Sequence, residues 1–267
     1  SLLKQDWLAQ HVYLVQFPRC RTMPNMSPWS LKLETWLRMA GIPFTNVSNE
    51  FQHFSEKGQV PYIELNGQQI AESNIIMEEL TMEFGKEKMT PFTEMDQALS
   101  RSFTALVEDH LSWALVSLRS KLGFEFLLSD DGFGRHCGDG LSKSLLKMVV
   151  RSMVSRRWES QTKAHGMGRN TTEELYQIAK HDLNAISVFL GNNPYFGGER
   201  PTTLDATMFG HLAHFVYMPT SDDVHLLYDH LREGDVVQFI ERVRDKYWPD
   251  WEVTCCTMNM NAHHKEG

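Results

Sequence analysis

Val60-Pro61-Tyr62-Ile63-Glu64-Leu65-Asn66-Gly67-Gln68-Gln69-Ile70-Ala71-Glu72-Ser73-Asn74 is the stretch on which the fold turns. Val60 to Leu65 is a short β-branched and aromatic run of strand type. Asn66-Gly67 is the dipeptide a two-residue hairpin turn prefers, because that turn needs positive φ at its centre. Gln69-Ile70-Ala71 reads as the returning strand. Glu72-Ser73-Asn74 opens a helix over Ile75 to about Phe84, with Ser73 or Asn74 placed to cap it.

Working towards the N-terminus, Val12-Tyr13-Leu14-Val15-Gln16-Phe17 is a buried strand that stops at Pro18. A loop from Pro18 to Met26 follows. Ser27-Pro28 then opens a helix, serine suiting the cap and proline the first helical position. Leu33, Trp36, Leu37 and Ala40 keep helical spacing, and Gly41 closes the helix. Pro43 to Val47 is a second strand. The order is β-α-β-loop-β-β-α.

Beyond Pro91 the pattern becomes helical. Residues 94–122 read as one long amphipathic helix, and residues 123–140, rich in glycine and aspartate, as a loop. Helices are expected over 141–158, 171–190 and 235–246, and another opens at Thr202-Thr203-Leu204-Asp205. Thr202 and Asp205 form a capping box, a structural device. The expected division is 11–88 for an α/β domain, 94–251 for an all-helical domain and 252–267 for a polar, disordered tail.

Composition narrows the function. The net charge of −8 argues against non-specific nucleic-acid binding. Arg151, Arg156 and Arg157 read as a solvated helix face. No uninterrupted apolar run approaches the ~18 residues of a spanning helix. The four cysteines, Cys20, Cys137, Cys255 and Cys256, form no C-x-x-C and fit no zinc spacing, so a reducing, cytoplasmic setting is expected and no metal. His211 and His214 read as packed or solvated helix residues. Cys255-Cys256 could carry a lipid at a membrane, but nothing adjacent supports it.

The β-α-β-β-β-α unit with Val60-Pro61 and Glu72-Ser73 resembles the thioredoxin-like, glutathione-binding domain of glutathione transferases, and the helical half with Thr202-x-x-Asp205 fits the same superfamily. Four stretches resemble its failed-axon-connections and metaxin-like group, near which the cadmium-responsive nematode proteins fall. They are Gln16-Phe17-Pro18-Arg19; Ser27-Pro28 with Lys32-Leu33-Glu34-Thr35 and Leu37-Arg38-Met39; Lys57-Gly58-Gln59-Val60-Pro61; and Asp205 to Leu212 with Tyr247-Trp248-Pro249. The resemblance spans roughly residues 11–251.

That resemblance implies glutathione as co-substrate and an apolar small molecule as its acceptor. Ser27 falls where serine-type members place the hydroxyl that stabilises the thiolate; the alternative is a plain helix cap. Val60, before an expected cis Pro61, would pair with the cysteinyl part of glutathione. Glu72 would meet the α-amino group and Ser73 the γ-glutamyl carboxylate at a helix start; an ordinary cap is the other reading. Arg19 and Arg21 could meet a ligand carboxylate or be solvated. Cys20, between them, could be reactive or idle. Ser27 and Ser30 stand where redox members carry C-x-x-C, so dithiol exchange here is excluded, and Trp29-Ser30 departs from the Ser-Pro-Phe-Cys of many relatives. Met148, Met153 and Met167 could line a pocket or be core. Two functions follow: a transferase, with a homodimer as its common assembly, or a non-catalytic adaptor acting in axon development or at membranes through protein partners.

Overall fold

The computed structural model describes residues 2–91, 93–121, 129–137, 141–218, 227, 229, 231 and 234–261. Four strands form one sheet in the order β2-β1-β3-β4: β1 Val12–Gln16, β2 Phe44–Ser48, β3 Tyr62–Leu65 and β4 Gln68–Ala71. β1 runs parallel to β2 and antiparallel to β3, and β3 pairs antiparallel with β4. Alternate residues Val12, Leu14, Ile63 and Leu65 face one side and pack with Leu33, Trp36 and Leu37 of α1 (Pro28–Ala40) and Ile76, Met77 and Leu80 of α2 (Ser73–Glu83). α1 starts and stops where its sequence directs. Ser27 caps it, Pro28 sits at the first position, and Gly41 takes the left-handed conformation, φ 62°, that ends it.

The second half is helical: α3 Glu94–Ala105, α4 Ser112–Lys121, α5 Leu141–His165, α6 Thr172–Leu190, α7 Thr203–Val216, α8 Val236–Tyr247 and α9 Trp251–Thr257. Among the described residues no helix is long and apolar enough to cross a membrane. The single helix expected over 94–122 is interrupted. Leu106–Leu111 is a π-helical turn joining α3 to α4, and Ser112 donates to the Val107 carbonyl at 2.7 Å. The wider turn brings Val107, Glu108 and Leu111 inward. α5 runs beyond the expected 158. Of the 123–140 loop, residues 123–128 and 138–140 lie outside the described residues, and Phe133–Cys137 forms a 3-10 turn.

The halves meet chiefly where α1 crosses α7. A Cβ on Gly210 would stand 2.6 Å from the N, Cα and Cβ of Lys32, so glycine sets this approach. Trp36 donates to Thr203 and Trp248 to Thr35 across the interface, at 3.1 and 3.0 Å. The capping box forms: Asp205 accepts from the Thr202 N–H and hydroxyl, and also from the Phe196 and Gly197 N–H groups.

The tail reading is corrected. Residues 252–257 belong to α9, whose Trp251, Thr254 and Cys255 are buried, and the chain then docks on the sheet edge. Asn261 accepts from the Asn46 N–H at 2.7 Å and donates to its carbonyl at 3.0 Å, standing in for a strand partner on β2. Edge strands need such cover. Residues 262–267 lie outside the described residues.

Candidate functional site

Strand register gathers the candidate residues at one end of the sheet. Val15 of β1 pairs with Tyr62 of β3, and Tyr62 with Ala71 of β4. The loop leaving β1 towards Ser27, the Val60-Pro61 bend entering β3, and Glu72-Ser73 leaving β4 therefore share one end of the sheet. The Val60–Pro61 bond is cis, and β3 begins after it, which leaves the Val60 peptide outside the strand ladder.

Ser27 accepts the Ser30 N–H at 3.4 Å, so it caps α1. A hydroxyl has one proton to donate besides its lone pairs, and no described residue takes that of Ser27. Capping and thiolate stabilisation are compatible at this atom. Glu72 sits at φ 88°, a region that costs a non-glycine residue roughly 1–3 kcal/mol and that clusters at ligand clamps. It occupies the N-cap position of α2, where its carbonyl accepts the first helical bond from Ile76 and its side chain makes no cap bond. The expectation that Ser73 or Asn74 caps α2 is thereby corrected. Ser73 is the first residue of the helix and is buried, and its hydroxyl faces another partner.

That partner is Lys32. The buried Lys32 ammonium donates to Ser73 Oγ at 3.3 Å, Asn74 Oδ1 at 2.6 Å and Glu108 Oε1 at 2.5 Å. Asn74 Nδ2 donates to Glu108 Oε2 at 2.8 Å. Below them His211 Nε2 lies 3.6 Å from Glu108, and its Nδ1 is 2.6 Å from Ser112 Oγ. Ser112 spends its only proton on the Val107 carbonyl, so His211 Nδ1 is the protonated nitrogen. Burial by itself would raise the Glu108 carboxyl; its neighbours His211 and the charged Lys32 override it and hold the group at about 2. Burial pushes both Lys32 and His211 down, with Glu108 opposing. Trp29, two residues past Ser27, meets the His211 ring edge-on at 5.4 Å.

Arg19 is elsewhere in function. It is wholly buried and bidentate to Glu34, at 2.6 and 2.8 Å, and it also donates to the Met260 carbonyl. Gln16 and Asn46 donate to Glu34 as well, and Arg38 bridges Glu34 to Asp250. Burial would raise Glu34, but Arg19, then Arg38 and Gln16, hold it at about 2. The expectation that Arg19 meets a ligand carboxylate is therefore corrected: an internal one has claimed it. The reactive reading of Cys20 falls similarly, since burial, with Cys255 beside it, pushes its thiol up and Arg19 only partly offsets this. Arg21 is exposed, its N–H donating to the Asp131 carbonyl.

Lys32, Asn74 and Glu108 were not foreseen. The one local signal was a lysine inside the apolar run Leu31-Lys32-Leu33, since a lysine buried there needs a carboxylate.

Comparison with known proteins bears on the family and the fold. The glutathione S-transferase N-terminal domain family matches residues 28–124 and the glutathione S-transferase C-terminal domain family matches residues 179–243. "Failed axon connections" of Drosophila melanogaster is 35% identical over 97% of this chain, which spans 63% of the fly protein's length. "Isoprene-epoxide--glutathione S-transferase" of Rhodococcus sp. is 25% identical, over 84% of this chain and 94% of that protein, and mouse metaxin-2 is 26% identical, over 83% and 82%. Among solved structures, a glutathione transferase of Bombyx mori superposes with a TM-score of 0.58 at 15% identity, covering 95% of this chain and 97% of its own, which shows the shared fold.

Proposed function

Since the chain belongs to the glutathione S-transferase superfamily and is related to failed axon connections and the metaxins, we propose that it binds glutathione and conjugates it, through its thiolate, to a small, electrophilic, partly apolar substrate. The observation that carries this reading is the convergence of Ser27, the Val60–Pro61 bend and Glu72-Ser73 at one end of the sheet, with the hydroxyl protons of Ser27 and Ser73 both unspent among the described residues.

In this proposal the N–H and hydroxyl of Ser73, at the positive end of α2, hold the γ-glutamyl carboxylate. Glu72 meets the α-amino group. The Val60 peptide pairs with the cysteinyl unit. Ser27 then donates its proton to the sulfur, which favours thiolate over thiol. The thiolate attacks the electrophilic carbon, a C–S bond forms, and the broken bond's electron pair leaves on oxygen or another leaving group. The Rhodococcus relative, named for an epoxide and glutathione, supports this substrate class. A reducing, cytoplasmic setting fits the free thiols of Cys20, Cys255 and Cys256. A homodimer belongs to the same proposal, with Met82 and Met95 exposed on α2 and α3 as available apolar contacts.

The second reading is a non-catalytic adaptor working through protein partners, in axon development or at membranes. It is favoured by the 35% identity to failed axon connections and by the metaxin relatives. Calorimetric titration with glutathione separates the two. Binding that is lost in Glu72→Ala, together with a Ser27→Ala variant that binds yet no longer lowers the thiol pKa, supports the transferase. No binding at several millimolar glutathione sinks it and leaves the adaptor.

A further inference from the structure

The Lys32 cluster has its hydrogen bonds almost fully assigned, and the Ser73 hydroxyl proton is left over among the described residues. An ammonium has three protons. Those of Lys32 go to Ser73 Oγ, Asn74 Oδ1 and Glu108 Oε1. Asn74 is oriented unambiguously, its oxygen accepting from Lys32 and its nitrogen donating to Glu108. Glu108 holds its place because the π-helical turn directs it inward and because the ion pair is buried on both sides. Ser73 receives a proton from Lys32 and, among the described residues, gives its own to nothing. It is the hydroxyl of a buried residue at a helix N-terminus, and it accepts from a charged group.

We propose that Lys32 is a positioning residue that turns Ser73 into an obligate proton donor, selecting ligands that present a carboxylate to the start of α2. Without the ammonium behind it, the hydroxyl could rotate and present a lone pair, to which a carboxylate is indifferent or repelled. Glu108 acts one step further back. It keeps the ammonium charged and carries the helical domain's packing into the ligand site. This inference rests on the glutathione reading above and adds the residue that orients the Ser73 hydroxyl.

The test compares two ligands: glutathione and the analogue 4-aminobutyryl-cysteinyl-glycine, which keeps the amino group but lacks the glutamyl α-carboxylate. Wild type is expected to favour glutathione by tenfold or more, the scale of a hydrogen bond to a charged group. Ser73→Ala and Lys32→Met should each reduce that preference to within about threefold, and combining them should reduce it no further. The ratio cancels any loss of stability common to both titrations. Lys32→Met strands a buried carboxylate, so it is paired with the double variant Lys32→Met/Glu108→Leu, since replacing both charges spares the fold. A folded Lys32 variant that keeps the full preference overturns the role of Lys32. If wild type binds both ligands equally, carboxylate selection falls while glutathione binding survives. If wild type binds neither, both readings fall.

Discussion

Arg19→Met should be the most costly single change in the loop between β1 and α1, and its size follows from the structure. Arg19 and Glu34 are both wholly inaccessible, joined by two hydrogen bonds of 2.6 and 2.8 Å. Removing one partner of a buried pair typically costs about 3–5 kcal/mol, because the other charge stays desolvated. Arg38, Gln16 and Asn46 still reach Glu34, so the low end, about 3 kcal/mol, is expected. Proton linkage agrees. The fall of the Glu34 carboxyl from 4.5 to about 2 corresponds to about 3 kcal/mol for all its partners together, net of the opposing burial. Its folded pKa is depressed, so that stability is present above about pH 4.5 and is lost as pH falls through 2. Urea unfolding at neutral pH should show the full difference, with melting lowered by roughly 6–12 °C. The gap between wild type and variant should narrow between pH 4.5 and 2. Arg19 also holds the Met260 carbonyl, so the variant's last residues should be cut faster in limited proteolysis. Arg19→Met/Glu34→Leu should recover most of the loss. A change below about 1 kcal/mol that is independent of pH would refute the internal role and return Arg19 to the candidate ligand contacts.

Two further changes probe the frame around the site. Gly210→Ala puts a methyl 2.6 Å from the Lys32 backbone, which has no flexible end to yield, so a loss of about 1–3 kcal/mol in urea unfolding is expected; an unchanged midpoint would mean that α1 and α7 part without cost. Asp205→Ala strips the acceptor from three N–H groups and one hydroxyl, so it should cost about 3 kcal/mol or more, beyond the ~1 kcal/mol of a lone cap. Asp205→Asn, which keeps one acceptor oxygen, should recover part of that in the same assay, and an alanine variant losing no more than a cap's worth would count against the wider role.

How far the chain could be read in advance depended on the range of each signal. Ser27-Pro28, Gly41, Asn66-Gly67 and Thr202-x-x-Asp205 are local devices, each settled by the conformational preference of one or two residues, and each stands where its sequence directs. The α/β half followed by a helical half was legible for the same reason, because side-chain periodicity is a property of neighbours in the chain. The tail was misread because polarity suggests solvent, whereas Asn261 spends its amide on the peptide of Asn46, a partner 215 residues away.

Charge was least legible. Arg19 and Arg21 look alike in sequence, two arginines flanking a cysteine, yet one is enclosed with Glu34 and the other is exposed. Lys32, Asn74 and Glu108 come from three elements and meet only once α1, α2 and the π-helical turn pack together. The sequence by itself determined the elements, their caps and the family, because these rest on local geometry and on motifs. Tertiary structure alone decided which charges are buried, with whom, and which hydroxyl protons remain to be given, because desolvation and pairing depend on every chain segment that closes around a group.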